Sequence, residues 1–402
     1  MRTTPEDVGL SGSRLYKIDH LTSRYIEEGR LAGTITLVAR RGEVVHFSCQ
    51  GRMDVEADKE MEEDTIFRIY SMTKPITSVA LMMLYEDGHF QLDCPVSRYI
   101  PGFKHLKVHT PDGLVDTERE MTIRDLLTHT SGLTYGFMNA TPVDAMYRAE
   151  GVEQASDLEE MMEKLSDMPL LFTPGSRWSY SVATDVCGYL VQKISDTPFD
   201  EFLKEQIFEP LEMVDTGFTV PADQVHRFAA NYQHTEEGGF RLIDSPEASV
   251  YLKPRGLLSG GGGLVSTAAD YNRFAQMLLG RGEYEGTRIL GRKTIELMTM
   301  NHLPNNGDLT SMGQAVFSET PYDGIGFGLG FSVMLDPAKA QILGSPGEFA
   351  WGGAASTYFF VDPAEELVVM LLTQLMPSSA YPIRRELRVL AYQSLIHDDK
   401  EA

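Results

Sequence analysis

Both ends of this 402-residue chain read as helix plus short strand-like runs, and the long stretch between them does not. That pattern constrains the fold most, because strands so distant in sequence pair only if the two termini meet in one sheet. At the N-terminal end, Ser11 is placed to cap an amphipathic helix through Leu15, Ile18, Leu21, Tyr25 and Ile26 that stops near Gly29. Strand-like runs follow at 34–39 and 44–48, joined around Arg41-Gly42 as a hairpin. At the far end, 327–335, 357–361 and 367–372 read as strands, the last two hinged at Asp362-Pro363, before a helix through Ile383, Leu387, Leu390 and Leu395. Helical patterns at 123–127, 157–165, 182–194, 199–208 and 268–279 fill the middle, with Pro/Gly-rich connections between them. The expectation is an α+β chain in which residues 1–80 and 325–402 build the sheet and residues 81–324 form a mostly helical insertion.

Charge and cysteine content exclude several kinds of function. With 35 basic and 58 acidic residues the formal net charge is −23, and no Lys/Arg-rich run interrupts the acidic excess. Nucleic acids and anionic membrane surfaces are therefore poor partners. The first residues lack the apolar core of a signal peptide, and no segment has the uninterrupted apolar length of a membrane span, so a soluble, cytoplasmic protein is expected. Cys49, Cys94 and Cys187 are an odd number without metal-like spacing. His105 and His109 have no regular carboxylate partners, and no metal or cofactor is implied. Gly260-Gly261-Gly262-Gly263 has no lysine in Walker A position, so close backbone approach explains it better than phosphate binding. No pattern sets the number of subunits.

The chemistry is concentrated at Ser71-Met72-Thr73-Lys74, at the start of an apolar segment running to Leu84. If that segment is helical, Ser71 and Lys74 share one face of its first turn. A serine hydroxyl is a weak nucleophile until a neighbour takes its proton, and a lysine one turn away can assist that transfer. The spacing alone is weak, since such a match arises by chance about once in a chain of this length. No Gly-x-Ser-x-Gly elbow offers an alternative serine site.

Two further segments give the motif its meaning. Tyr180-Ser181-Val182 follows Phe172-Thr173-Pro174-Gly175, and Trp351-Gly352-Gly353 precedes a predicted strand. In that order and at those separations the chain resembles the serine β-lactamase and penicillin-binding protein superfamily, and within it the family VIII carboxylesterases. Leu126 to Leu133, Pro210-Leu211-Glu212-Met213 and Gly263-Leu264-Val265-Ser266-Thr267 also resemble family segments, so the likeness covers nearly the whole chain. It implies an antiparallel sheet flanked by helices plus a helical domain, with the active site between them. It also implies Ser71 as the acylated nucleophile, Lys74 as its electrostatic and proton-transfer partner, and Tyr180 as the base that hands the proton onward, while the sequence leaves open which of Lys74 and Tyr180 is the effective base. The backbone N–H groups of Ser71 and Ala354 would form the oxyanion hole, and Gly352 and Gly353 would let substrate lie close to the strand. An unperturbed phenol has a pKa of about 10, so Tyr180 is expected to need a Lys74 ammonium beside it to lower that value.

The chain departs from the superfamily's commonest pattern at two places. Val182 stands where asparagine is usual, which removes an amide able to hold a substrate amide or Lys74. Trp351 stands where a lysine is usual, and a neutral indole cannot pair with a substrate carboxylate, although it suits an apolar acyl or alcohol group. The expected activity is hydrolysis of uncharged, short- to medium-chain carboxylic esters, small molecules, through an acyl-serine. A β-lactamase or D-amino-acid peptidase, an acyltransferase of the same fold, and a catalytically silent ligand sensor are the alternatives. His129, in one of the family segments, reads as a turn or core residue.

Overall fold

The computed structural model describes residues 3–313 and 322–396. Among them, eight strands form one antiparallel sheet: β1 (Gly33–Arg40), β2 (Glu43–Asp54), β3 (Lys59–Glu60), β4 (Ile325–Phe327), β5 (Ser332–Met334), β6 (Phe349–Gly352), β7 (Tyr358–Asp362) and β8 (Leu367–Leu372). Their spatial order is β4-β5-β6-β7-β8-β1-β2-β3. The two ends of the chain therefore meet at the β8–β1 pair, with Ile35 opposite Leu372 and Arg40 opposite Leu367. The β1–β2 turn has both central residues at positive φ, Arg41 at 54° and Gly42 at 83°, as a two-residue hairpin matching the sheet twist requires.

The sheet is covered on both faces, which is why β8 reads as an unbroken apolar run. Leu367, Val369 and Leu371 pack against α1 (Gly12–Glu27) and the C-terminal helix through Leu15, Ile18, Leu21, Ile383 and Leu387. Val368, Met370 and Leu372 face the other way, into the main core. That core contains α2 (Thr73–Glu86), α3 (Ala183–Ser195) and α4 (Ala268–Leu279). The C-terminal helix is α5 (Ile383–Tyr392).

Two local expectations are corrected. Residues 327–335 are not one strand but the end of β4 and all of β5, separated by a buried turn at Gly330 (φ 99°). A Cβ on Gly330 would lie 2.3 Å from Ser78 Oγ, so α2 presses the turn into place. Ser11 precedes α1 but does not cap it, because its Oγ pairs with Ser13 Oγ and Glu6 accepts the Gly12 N–H at 2.8 Å instead. The segment between β3 and β4 also carries a small sheet, Asn231–His234 with Phe240–Asp244, to which Leu375–Met376 adds directly after β8. No helix among the described residues is long and apolar enough to cross a membrane.

Candidate active site

Ser71 lies in a single tight turn, Tyr70–Met72, that runs straight into α2. Tyr70 is held at φ 42°, uncommon for a bulky residue, and its hydroxyl accepts from Asn231 Nδ2 at 2.8 Å. Lys74, the second residue of α2, is 1% exposed. Its Nζ lies 3.4 Å from Ser71 Oγ, 3.0 Å from Tyr135 Oη and 2.6 Å from the Gly261 carbonyl. Tyr180 Oη is 2.6 Å from Ser71 Oγ, and Lys74 Nζ sits 4.4 Å from the centre of the Tyr180 ring. The first two motifs, 109 residues apart between Ser71 and Tyr180, thus meet at one hydroxyl.

Burial dominates the electrostatics. It pulls the Lys74 pKa down to about 7, partly opposed by the Asp185 carboxylate, so near neutrality the amine is poised to lose its proton. The same burial pushes the Tyr180 phenol upward, which corrects the expectation that Lys74 would bring it down. Desolvation penalises both charged forms, the ammonium that was to help and the phenolate that was to benefit. Lys74 is consequently the easier group to convert into a base.

The third motif lies at the end of β6, packed on the Tyr70–Met72 turn. Trp351 is 8% exposed, with ring centroids 5.6 Å from Tyr180 and 5.3 Å from Phe327. Its indole N–H lies near the Tyr180 hydroxyl but outside hydrogen-bond geometry, and has no hydrogen-bond partner among the described residues. Trp351 is thus a wall against which Tyr180 leans rather than an open platform. The glycines have internal reasons too. A Cβ on Gly353 would lie 2.4 Å from the Ile69 carbonyl, and one on Gly352 would lie 3.0 Å from Arg384 Cζ. Space beside both is filled by the protein's own atoms, in contrast to the expected room for substrate. Ala354 follows in a tight turn, and its N–H donates to no partner among the described residues.

Sequence reasoning missed the shell around Lys74. Val182 is fully buried at the start of α3, and the hydrogen-bonding groups on Lys74 come instead from Tyr135 and Gly261. Asp185, in the first turn of α3, accepts the Gly261 N–H at 3.1 Å and the Ser259 hydroxyl at 2.5 Å, holding the residue whose carbonyl binds Lys74. A lone carboxylate in the apolar stretch 182–191 was the available signal, since a buried acid needs partners. The glycine run passes between helices: a Cβ on Gly260 would meet the Thr184 carbonyl at 2.6 Å and Thr77 Cγ2 at 3.0 Å. His129 is buried among Trp178, Tyr180 and Phe327, with Nδ1 3.2 Å from Ser181 Oγ. Burial and Lys74 keep its pKa well below the usual value, so it is a neutral packing residue.

This is the fold of β-lactamase/transpeptidase-like proteins, a sheet with helices on both faces and a serine at the start of a buried helix. The chain belongs to the beta-lactamase family, whose model matches residues 18–393. An uncharacterized protein of Mycobacterium tuberculosis (strain CDC 1551 / Oshkosh) is 37% identical over 359 residues, covering 87% of this chain and 88% of that one. Esterase EstB of Burkholderia gladioli is 33% identical over 376 residues, 89% of each chain. Among solved structures, EstCE1, a hydrolase with promiscuous acyltransferase activity, matches with a TM-score of 0.81 and 28% identity, over 94% of this chain and 99% of its own. The chain is thus similar to serine hydrolases of the β-lactamase fold, esterases among them.

Proposed function

We propose that the protein is a serine carboxylesterase that hydrolyses short- to medium-chain esters through an acyl-Ser71 intermediate. The observation that carries this reading is the placement of Ser71 Oγ between Tyr180 Oη at 2.6 Å and a Lys74 amine whose pKa is about 7. Neutral Lys74 takes the Ser71 proton as Oγ attacks the ester carbonyl carbon, and the negative oxygen forms between the N–H groups of Ser71 and Ala354. Collapse breaks the C–O bond to the alcohol, which leaves with a proton delivered through the Tyr180 hydroxyl from the Lys74 ammonium. Water then repeats the sequence on the acyl-enzyme and regenerates Ser71. Trp351 favours uncharged substrates, because its neutral indole stands where a lysine would pair with a substrate carboxylate. The sheet built by residues 1–80 and 325–402 and the region 81–324 are, on this reading, the two walls of the cleft.

The test is a p-nitrophenyl ester series of increasing chain length run beside nitrocefin, with Ser71→Ala as control. Ester turnover that exceeds cephalosporin turnover and vanishes in Ser71→Ala supports the assignment, whereas comparable kcat/KM values for both substrates would overturn it. The likeness to EstCE1 favours a second reading, transfer of the acyl group to an alcohol rather than water. Adding a short-chain alcohol and measuring the ratio of new ester to free acid separates the two.

A further inference from the structure

Arg384, the second residue of α5, stands behind the third motif and takes no part in the proton transfers just described. Its Nη2 donates to two carbonyls, Gly353 at 2.7 Å and Thr357 at 2.8 Å. These residues bracket the turn 354–356, which the Gly353 N–H closes onto the Thr357 carbonyl at 2.8 Å. Three-residue hairpin loops usually place glycine at the left-handed position, but here Ser356 occupies it at φ 68°. The turn is accordingly braced from outside: Ser356 Oγ donates to the Leu375 carbonyl at 2.7 Å, and the Leu375 N–H donates to Ala355 at 3.1 Å. On its inner side, Thr357 Oγ1 donates to the Ile69 carbonyl at 3.4 Å, two residues before Ser71. The turn that carries the Ala354 N–H, unpartnered among the described residues, is therefore seated against the Ile69 carbonyl, two residues before Ser71, and Arg384 holds both of its ends.

We propose that Arg384 is a positioning residue for the oxyanion site, keeping the Ala354 N–H aimed at the carbonyl that Ser71 attacks. The proposal rests on the acyl-Ser71 reading. Two charge-assisted bonds from one nitrogen fix the separation of the Gly353 and Thr357 carbonyls, and such bonds are roughly twice as strong as neutral ones. The guanidinium is itself steadied over the Tyr358 ring, 5.5 Å from its centroid. Losing an oxyanion donor outright costs about 10² to 10³ in kcat, so loosening one costs part of that. Because the donor matters chiefly once charge develops on the carbonyl oxygen, kcat should fall while KM barely moves.

The experiment compares wild type with Arg384→Met, Arg384→Lys and Arg384→Ala on one p-nitrophenyl ester, with competent sites counted by titration with an alkylphosphonate. Arg384→Met should lose roughly 10-fold to 100-fold in kcat per titrated site with KM within about twofold, and its phosphonylation should slow in parallel while still reaching one adduct per chain. Arg384→Lys should recover only part, because a point charge spans two carbonyls poorly. Arg384→Ala opens space continuous with a cavity of about 100 Å³ that Trp351, Gly352, Tyr358 and Arg388 also line, so low-millimolar guanidinium chloride should raise its kcat. Fewer titratable sites with normal kcat per site would show a merely structural role and overturn the proposal. Unchanged kcat in Arg384→Met would also overturn it, yet leave the acyl-Ser71 reading standing if wild-type turnover is lost in Ser71→Ala. Wild-type turnover that persists in Ser71→Ala would remove that reading and the proposal with it.

Discussion

The Gly261 carbonyl accepts a 2.6 Å hydrogen bond from Lys74 Nζ, and the N–H of the same residue donates to the Asp185 carboxylate at 3.1 Å. One residue, through the two peptide groups that flank its Cα, thus couples an acid on α3 to the amine on α2 that faces Ser71. It is a short link, and it fixes where the amine sits without consuming the side of Nζ that looks at Ser71.

The pH profile should follow Lys74. Its pKa of about 7 means that the neutral, proton-accepting form fades as pH falls through neutrality. The acid limb of kcat/KM for an uncharged ester should therefore bend near pH 7 and lose about tenfold per unit below it. An acid limb at pH 4–5 would point to a carboxylate in its place.

Stability should carry the same signature with a definite sign. Lys74 binds a proton more weakly folded than unfolded, so wild-type stability rises with pH between about 7 and 10.5 and gains nothing further from this group below pH 7. Replacing it by methionine removes that slope. The Tm of Lys74→Met relative to wild type should be highest below pH 7 and decline steadily above it, as read by calorimetry across the range. A difference independent of pH would contradict the burial argument.

Removing the phenolic hydroxyl should be costly. Tyr180→Phe keeps the ring packed on Trp351 and His129 but deletes the 2.6 Å contact with Ser71. A loss of about 10² to 10⁴ in kcat is expected, with Tm little changed. Near-normal kcat in the folded variant would make Tyr180 a packing residue.

Gly260→Ala tests the seam between helices. Its Cβ would press on the Thr184 carbonyl and Thr77, so α2 and α3 must part. Overpacking of this kind costs about 1–3 kcal/mol, and the displaced Gly261 carbonyl should also lower kcat. Denaturant unfolding beside ester kinetics measures both, and a variant unchanged in either would show that the seam can yield.

Much of this was legible in the chain itself. The strand-like runs of β8 and β1, the hairpin around Arg41-Gly42 and the buried run of α2 are local consequences of side-chain pattern, and they sufficed to bring the termini into one sheet. The motifs at Ser71 and Lys74, Tyr180 and Trp351 were readable because their residue types carry chemistry at recognisable spacing. The split at Gly330 was not legible, since a buried turn and a buried strand are equally apolar.

What only the tertiary structure decided was environment. Tyr135 and Gly261 reach Lys74, and Asp185 holds Gly261, from three separate segments that no spacing rule links. The balance between Lys74 and Tyr180 as proton acceptor was equally out of reach, because it depends on how completely each is withdrawn from water. Residue type and order are properties of the chain, whereas desolvation and the aim of a single N–H at Ala354 are set by everything that packs around them.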